Sequence, residues 1–267
     1  MIDTHCHLNF KTFKGKVEDI IAEAKKAGVE KVIVPGTDLE SSKKARELAQ
    51  KYAGIYAAVG VHPHHSKIKN ERLKIKDELL KLAQNKKVVA IGECGLDYYQ
   101  YQKTKYKNYI IDEDFKKRQK EIFELQIKLA SELNLALIIH NRQASKDILR
   151  LLTTYHSLLT KLVFHCFEGD EEILKFSLEQ NFYLGITGNV TYNKKVEKAV
   201  KRIPLKNLLL ETDAPFLTPE PLKSRNLFPN TPKNVRIIAS KIAEIKGEPF
   251  SKVAKKTSDN AYKLFKI

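Results

Sequence analysis

This chain predicts an α/β fold of the (β/α)8 type, a TIM-type barrel, on three observations. Its apolar runs are nearly continuous rather than alternating, as in strands buried on both faces of a parallel sheet. Amphipathic, Lys-rich segments separate those runs, so strand and helix alternate along the chain. Eight such units fit 267 residues, the length of one closed barrel whose functional groups gather at the C-terminal ends of the strands.

A short apolar start runs into Asp3-Thr-His-Cys-His7. On a strand, residues i and i+2 face the same way, so His5 and His7 can grip one cation between them. Alone, the pair reads equally well as a solvated tail. Lys31–Gly36 is a plain strand, Tyr56–Val61 runs into His62-Pro-His-His65, and Lys87–Gly92 runs into Glu93. Leu135–Ile139 ends at His140 and Leu162–Phe164 at His165. Phe182–Thr187 is a strand without a ligand, and Leu208–Leu210 ends in Glu211-Thr-Asp213. Helices are expected over Val17–Lys26, Ser41–Lys51, Ile75–Gln84, Phe115–Leu133 and Val235–Ile245. Six of the eight strands finish on an imidazole or a carboxylate, where barrel enzymes keep their chemistry.

No Pro/Gly/Ser-rich linker or internal repeat interrupts the alternation, so residues 1–267 are expected to form a single barrel domain. No cationic segment leads into an apolar signal core and no run of 18 apolar residues occurs, so a soluble, cytoplasmic protein without a membrane partner is expected. The cysteines, Cys6, Cys94 and Cys166, are odd in number, which argues against a disulfide framework. Each adjoins a candidate ligand and, on a strand, faces the other way, so they are expected to be small buried residues. A net charge of +16 suits a polyanionic partner. Only 8 of the 48 basic residues are Arg, however, so Lys-rich solvated helix faces account for the excess equally well. In Tyr98–Tyr109, tyrosines interleave with Lys103, Lys105 and Lys107, a composition suited to base stacking and phosphate contacts. Tyrosines packed on the barrel rim are the competing reading.

Imidazole and carboxylate ligands without thiolates suit Zn²⁺, Mn²⁺, Fe²⁺ or, with fewer histidines, Mg²⁺. His5, His7, His140, His165, Glu93 and Asp213 are too many for one tetrahedral ion. Two ions bridged by one carboxylate use them all, and such pairs stabilise both the attacking and the leaving oxygen of a phosphoryl displacement. Glu93, midway in the strand order, suits the bridge; Asp213 suits one ion and the proton of the attacking water.

Asp3-Thr-His-Cys-His7, Gly60-Val-His-Pro-His64, Gly92-Glu-Cys-Gly-Leu-Asp-Tyr98, His140-Asn-Arg142, His165-Cys-Phe-Glu-Gly169 and Glu211-Thr-Asp-Ala-Pro-Phe216 resemble, in order and across nearly the whole chain, the motifs of the TatD-type metal-dependent deoxyribonucleases. The resemblance implies an amidohydrolase-like barrel that hydrolyses DNA phosphodiesters, often from the 3′ end of single strands, with two divalent metals (Mg²⁺, Mn²⁺ or Zn²⁺). By the same resemblance His5, His7, Glu93 and Asp213 bind one metal and Glu93, His140 and His165 the other, with Glu93 bridging them; Glu93 and Asp213 are the expected catalytic residues.

Residue matching also gives a substrate-binding tier. Of His62 and His64, the latter is the better candidate to touch a phosphate, with tight-turn packing as the alternative. Arg142 matches a basic residue beside the fifth-strand histidine, although a salt bridge explains it equally. Glu211 suits a group that orients a ligand, and Asp97 a cap on the following segment. Family members carry an Arg-Gly loop after the last strand; here Lys223-Ser-Arg225-Asn-Leu-Phe-Pro-Asn230-Thr-Pro232 keeps Arg225 as a substrate contact and lacks the glycine. The segment through Asp114 looks like an insertion. An amidohydrolase or esterase acting on a small molecule in the same barrel is the alternative function. Such enzymes often bridge their metals with a modified lysine on the fourth strand, where this chain has Glu93.

Overall fold

A computed structural model describes residues 1–66, 72–102 and 110–267. Lys103, Lys105 and Lys107 of the Tyr/Lys segment lie outside the described residues. Eight parallel strands lie side by side in chain order: β1 Ile2–Asp3, β2 Lys31–Pro35, β3 Ile55–Val59, β4 Val88–Asp97, β5 Ala136–Arg142, β6 Leu162–Phe164, β7 Tyr183–Ile186 and β8 Leu208–Leu210. The first and last strands meet through Thr4 N–H donating to the Leu210 carbonyl (3.0 Å) and Asp213 N–H donating to the His5 carbonyl (2.8 Å). The expected (β/α)8 barrel is therefore what the chain forms. Around it run α1 Val17–Lys26, α2 Leu39–Lys51, α3 Arg72–Ala83, α4 Glu113–Glu132, α5 Ser145–Thr154, α6 Glu171–Glu179, α7 Lys194–Arg202, α8 Val235–Lys246 and α9 Phe250–Phe265.

Three helices, α2, α3 and α4, begin before their expected starts, and in α2 and α4 an aspartate sets the boundary. Asp38 accepts from Ser41 N–H in a capping box ahead of α2, and Asp112 accepts from Phe115 N–H ahead of α4. The larger difference is in β4, which the apolar run ends at Gly92 but which continues through Glu93 to Asp97.

Alternation along the strands sorts the core. Val32 and Val34 join the large outer cluster that includes the apolar helix faces, whereas Ile33 between them joins an inner cluster. That inner cluster draws Ile2, Ile33, Ala58, Ala90, Ile138, Val163 and Leu209 from seven different strands, and only a barrel interior brings these together. Ala261, Leu264 and Phe265 of α9 pack onto it. Two-residue steps from these inward positions lead to the mouth: Ile138 to His140, Val163 to His165, Leu209 to Glu211 and Asp213, Ala58 to His62 and His64. On β4, pairing with β5 is irregular between Ile91 and Cys94, and beyond it Gly95 and Asp97 lie opposite His140 and Arg142.

Candidate metal centre

Six side chains from five strand ends converge on the barrel mouth, around the carboxylate of Glu93. Its Oε2 lies 3.4 Å from His5 Nε2 and 3.7 Å from His7 Nε2. Asp213 Oδ1 lies 3.8 and 3.4 Å from the same two nitrogens, which are 3.3 Å apart. A tetrahedral ion with bonds of 2.0–2.2 Å has ligand–ligand edges of about 3.3–3.6 Å. Five of the six edges among His5, His7, Glu93 and Asp213 thus lie at or close to coordination spacing.

The other oxygen, Glu93 Oε1, faces a second group: His165 Nε2 at 2.9 Å, His140 Nδ1 at 3.0 Å and His62 Nε2 at 3.6 Å. Each of the two strand-end histidines here has a carboxylate behind it. Asp97 Oδ2 lies 3.1 Å from His140 Nε2, and Glu211 Oε1 lies 3.5 Å from His165 Nδ1. Glu211 also accepts from Cys166 N–H and from the Thr4 hydroxyl. Gly185 on β7 makes room for it, since a Cβ there would lie 2.3 Å from Glu211 Oε2. β7, which offers no ligand of its own, thus admits this carboxylate.

Burial works against ionisation of Glu93, yet the imidazoles of His165, His62 and His140 outweigh it and hold its pKa well below the usual range. Asp97 is lowered too, with His140 and His64 overcoming burial. Asp213 is lowered because His7, His165 and His5 outweigh its desolvation. Among the bases, His140 rises to about 9 against burial because Asp97 and Glu93 flank it, and Glu93 with Glu211 likewise raises His165. Burial, reinforced by neighbouring imidazoles, lowers His5 and His62. Asp3 behaves differently: burial pushes it up to about 8, and its oxygens accept from Thr212 N–H (2.9 Å), Thr212 Oγ1 (2.6 Å) and His5 N–H (3.2 Å). It fastens the end of β1 to the end of β8.

Buried imidazole nitrogens and ionised carboxylates, spaced like coordination edges, fit divalent cations. Cys6, Cys94 and Cys166 do not join them: burial pushes all three thiols well up, and Cys6 and Cys94 pack in the outer cluster.

The arginines stand outside the cluster. Arg142 donates from Nη1 to Tyr101 Oη (3.0 Å) and lies over the rings of Tyr99 (4.2 Å) and Tyr101 (5.0 Å). Arg225 is exposed on the segment after β8. His64 Nε2 lies 2.9 Å from Asp97 Oδ2, while its backbone N–H donates to His62 Nδ1. Sequence reasoning gave Asp97 only a capping role. It does accept from Tyr99 N–H (2.9 Å), but it also accepts from Tyr101 Oη (2.8 Å) and faces both His64 and His140. The available signal was the spacing Glu93, Gly95, Asp97, which places alternate residues of one extended strand on the same face.

Known proteins share this architecture along its length. Residues 2–266 match the family described as TatD related DNase. YabD of Bacillus subtilis, named an uncharacterized metal-dependent hydrolase, is 39% identical, the match covering 100% of this chain and 99% of YabD. A protein of Shigella flexneri named 3′-5′ ssDNA/RNA exonuclease TatD is 33% identical over 100% of this chain and 99% of its own. The crystal structure of YjjV, a TatD homologue of Escherichia coli, superposes with a TM-score of 0.87 at 30% identity, covering 100% of this chain and 98% of that one. With a barrel mouth built for cations and this likeness from end to end, the chain belongs to the TatD-related DNase family of metal-dependent hydrolases.

Proposed function

We propose that this protein hydrolyses phosphodiester bonds of single-stranded DNA from the 3′ end, using two divalent cations, Mg²⁺, Mn²⁺ or Zn²⁺, at the barrel mouth. The carrying observation is the division of Glu93: Oε2 faces His5 and His7, Oε1 faces His140 and His165. In this reading His5, His7, Glu93 and Asp213 hold one ion, and Glu93, His140 and His165 the other. Cations so held supply a nucleophilic water at neutral pH and offset the charge that builds on the phosphate oxygens.

The chain's own side chains do the rest. Asp213, kept ionised by the imidazoles around it, takes the proton from the water. Asp97 and Glu211 orient His140 and His165 through the ring nitrogens that face away from Glu93. His62 Nδ1 accepts from His64 N–H, which assigns its proton to Nε2, and that nitrogen faces the cluster. A neutral N–H donor there suits a phosphate oxygen, whereas His64 is engaged with Asp97 and supports it from behind. Arg142 and Arg225 serve phosphates farther along the strand. The TatD relatives named as ssDNA/RNA exonucleases support a single-stranded substrate. No helix among the described residues is long and apolar enough to cross a membrane, and a cytoplasmic location belongs to the same reading.

The test is degradation of 5′- and 3′-labelled single-stranded DNA by chelator-stripped protein, with Mg²⁺, Mn²⁺ or Zn²⁺ restored and Glu93→Gln alongside. Metal-dependent laddering from the 3′ end that falls by at least about 100-fold in folded Glu93→Gln is expected. Absence of cleavage with every metal would favour a small ester or amide as substrate.

A further inference from the structure

The aromatic rings of the mouth form a series that continues beyond the candidate ligands. His165 stacks on His5 (centroids 3.9 Å apart), His5 meets His7 edge-on (4.9 Å), and His7 stacks on Phe10 (4.3 Å). Among the described residues, Phe216 ends the series, edge-on to Phe10 at 6.2 Å and to His7 at 6.5 Å. Phe10 is half-buried, but Phe216 is 48% exposed.

This exposure is held in place by the backbone. Phe216 N–H donates to the Asp213 carbonyl (2.9 Å), and the Phe216 carbonyl accepts from Asn230 Nδ2 (2.7 Å). Buried Asn230 also bonds the Thr212 carbonyl (3.0 Å) through Nδ2 and the Pro215 carbonyl (3.0 Å) through its N–H. Asp213 and Leu217, on either side, take left-handed backbone conformations, φ 50° and 49°, which side chains other than glycine adopt rarely. The chain thus fixes a phenyl ring in water two ring contacts from His5, although burial of its apolar face is the favourable default. Leu227 and Phe228 of the same β8–α8 segment are also exposed.

We propose that Phe216, backed by Phe10, is a stacking platform for the base of a nucleotide flanking the scissile phosphate, a role that rests on the nuclease reading above. Every nucleobase has a π-face, so such a platform tolerates sequence while it sets the reacting phosphate over the neighbouring imidazoles and carboxylates. Among the described residues, the other end of the ring series carries Tyr101, Tyr99 and the stacked Arg142, with phenol and guanidinium groups already bonded to one another; Phe216 has an open face and no polar group to bond. It is therefore a binding residue, separate from the metal-facing acids.

The experiment compares single-stranded DNA bearing natural terminal nucleotides with the same oligonucleotide whose two terminal nucleotides carry tetrahydrofuran in place of base. With wild-type protein, removing the bases should raise KM about tenfold or more. In Phe216→Ala the ratio of the two KM values should fall close to one, and Phe216→Tyr should restore it, showing that the ring rather than the fold is responsible. A ratio in Phe216→Ala equal to that of wild type, or a wild-type ratio of one with active cleavage, overturns the platform while leaving the nuclease standing. A wild-type protein that cleaves neither oligonucleotide overturns both.

Discussion

Glu93 and Asp97, four residues apart on β4, divide the imidazoles of the mouth between them: Glu93 faces those of His5, His7, His62, His140 and His165, and Asp97 those of His64 and His140. Asp97→Asn keeps the shape but removes the anion that holds His140 Nε2, so metal affinity is expected to fall about 10–100-fold, read by competition with a chromophoric chelator. An unchanged affinity would return Asp97 to the capping role. The same pair sets a pH dependence. In the metal-free protein His140 stays protonated up to about pH 9, because Asp97 and Glu93 outweigh its burial. A cation at Nδ1 must displace that proton, so affinity should rise with pH up to about 9. Calorimetry at pH 7 in buffers of different ionisation enthalpy should register proton release on binding, and its absence would sink this assignment. The six expected ligands were readable because each sits where an apolar run stops, which in a barrel means the mouth. Asp97 was not, because Gly92 and Gly95 break the apolar pattern that marks β4 while its backbone pairing continues.

At the scale of elements, β7 illustrates what residue types conceal. Tyr183–Ile186 reads as a strand without chemistry, yet Gly185 gives the Glu211 carboxylate its place beside His165. Gly185→Ala should therefore leave a folded barrel with Glu211 displaced, lowering turnover about tenfold or more through loss of the group that orients a candidate ligand. Thermal denaturation close to wild type with reduced metal-dependent hydrolysis is the expected result; full activity would show that Glu211 is not needed there. Helix boundaries were legible where caps are explicit, and once Asp38 and Asp112 are read as caps the starts of α2 and α4 follow. The sequence was less informative for α7, Lys194–Arg202, which buries only Val196, Ala199 and Val200 under a face rich in lysine. It was least informative for β1, a two-residue strand whose place depends on Asp3 reaching Thr212 across the closure of the sheet.

For the whole molecule, the question is whether a net charge of +16 serves the substrate or merely coats the helices. Many lysines are tied to acids one helical turn away, as in Lys44–Glu40, Lys194–Glu197, Lys252–Glu248 and Lys255–Asp259. Such exposed pairs contribute little to stability, but they leave the unpaired excess to set the long-range field. If the substrate is a single strand, as proposed, its arrival at the mouth displaces counterions for each phosphate a cation neutralises. For single strands the affinity falls with a slope of about −0.7 per contact in logarithmic units, so three contacts give roughly a 20-fold rise in KM between 50 and 200 mM salt. A dinucleotide, with one phosphodiester at the metal centre and none beyond it, should show much less. If the two substrates respond alike, the surplus lysines are solvated decoration and the substrate is held by the mouth alone; a steep slope for the longer strand would assign the surrounding charge to its capture.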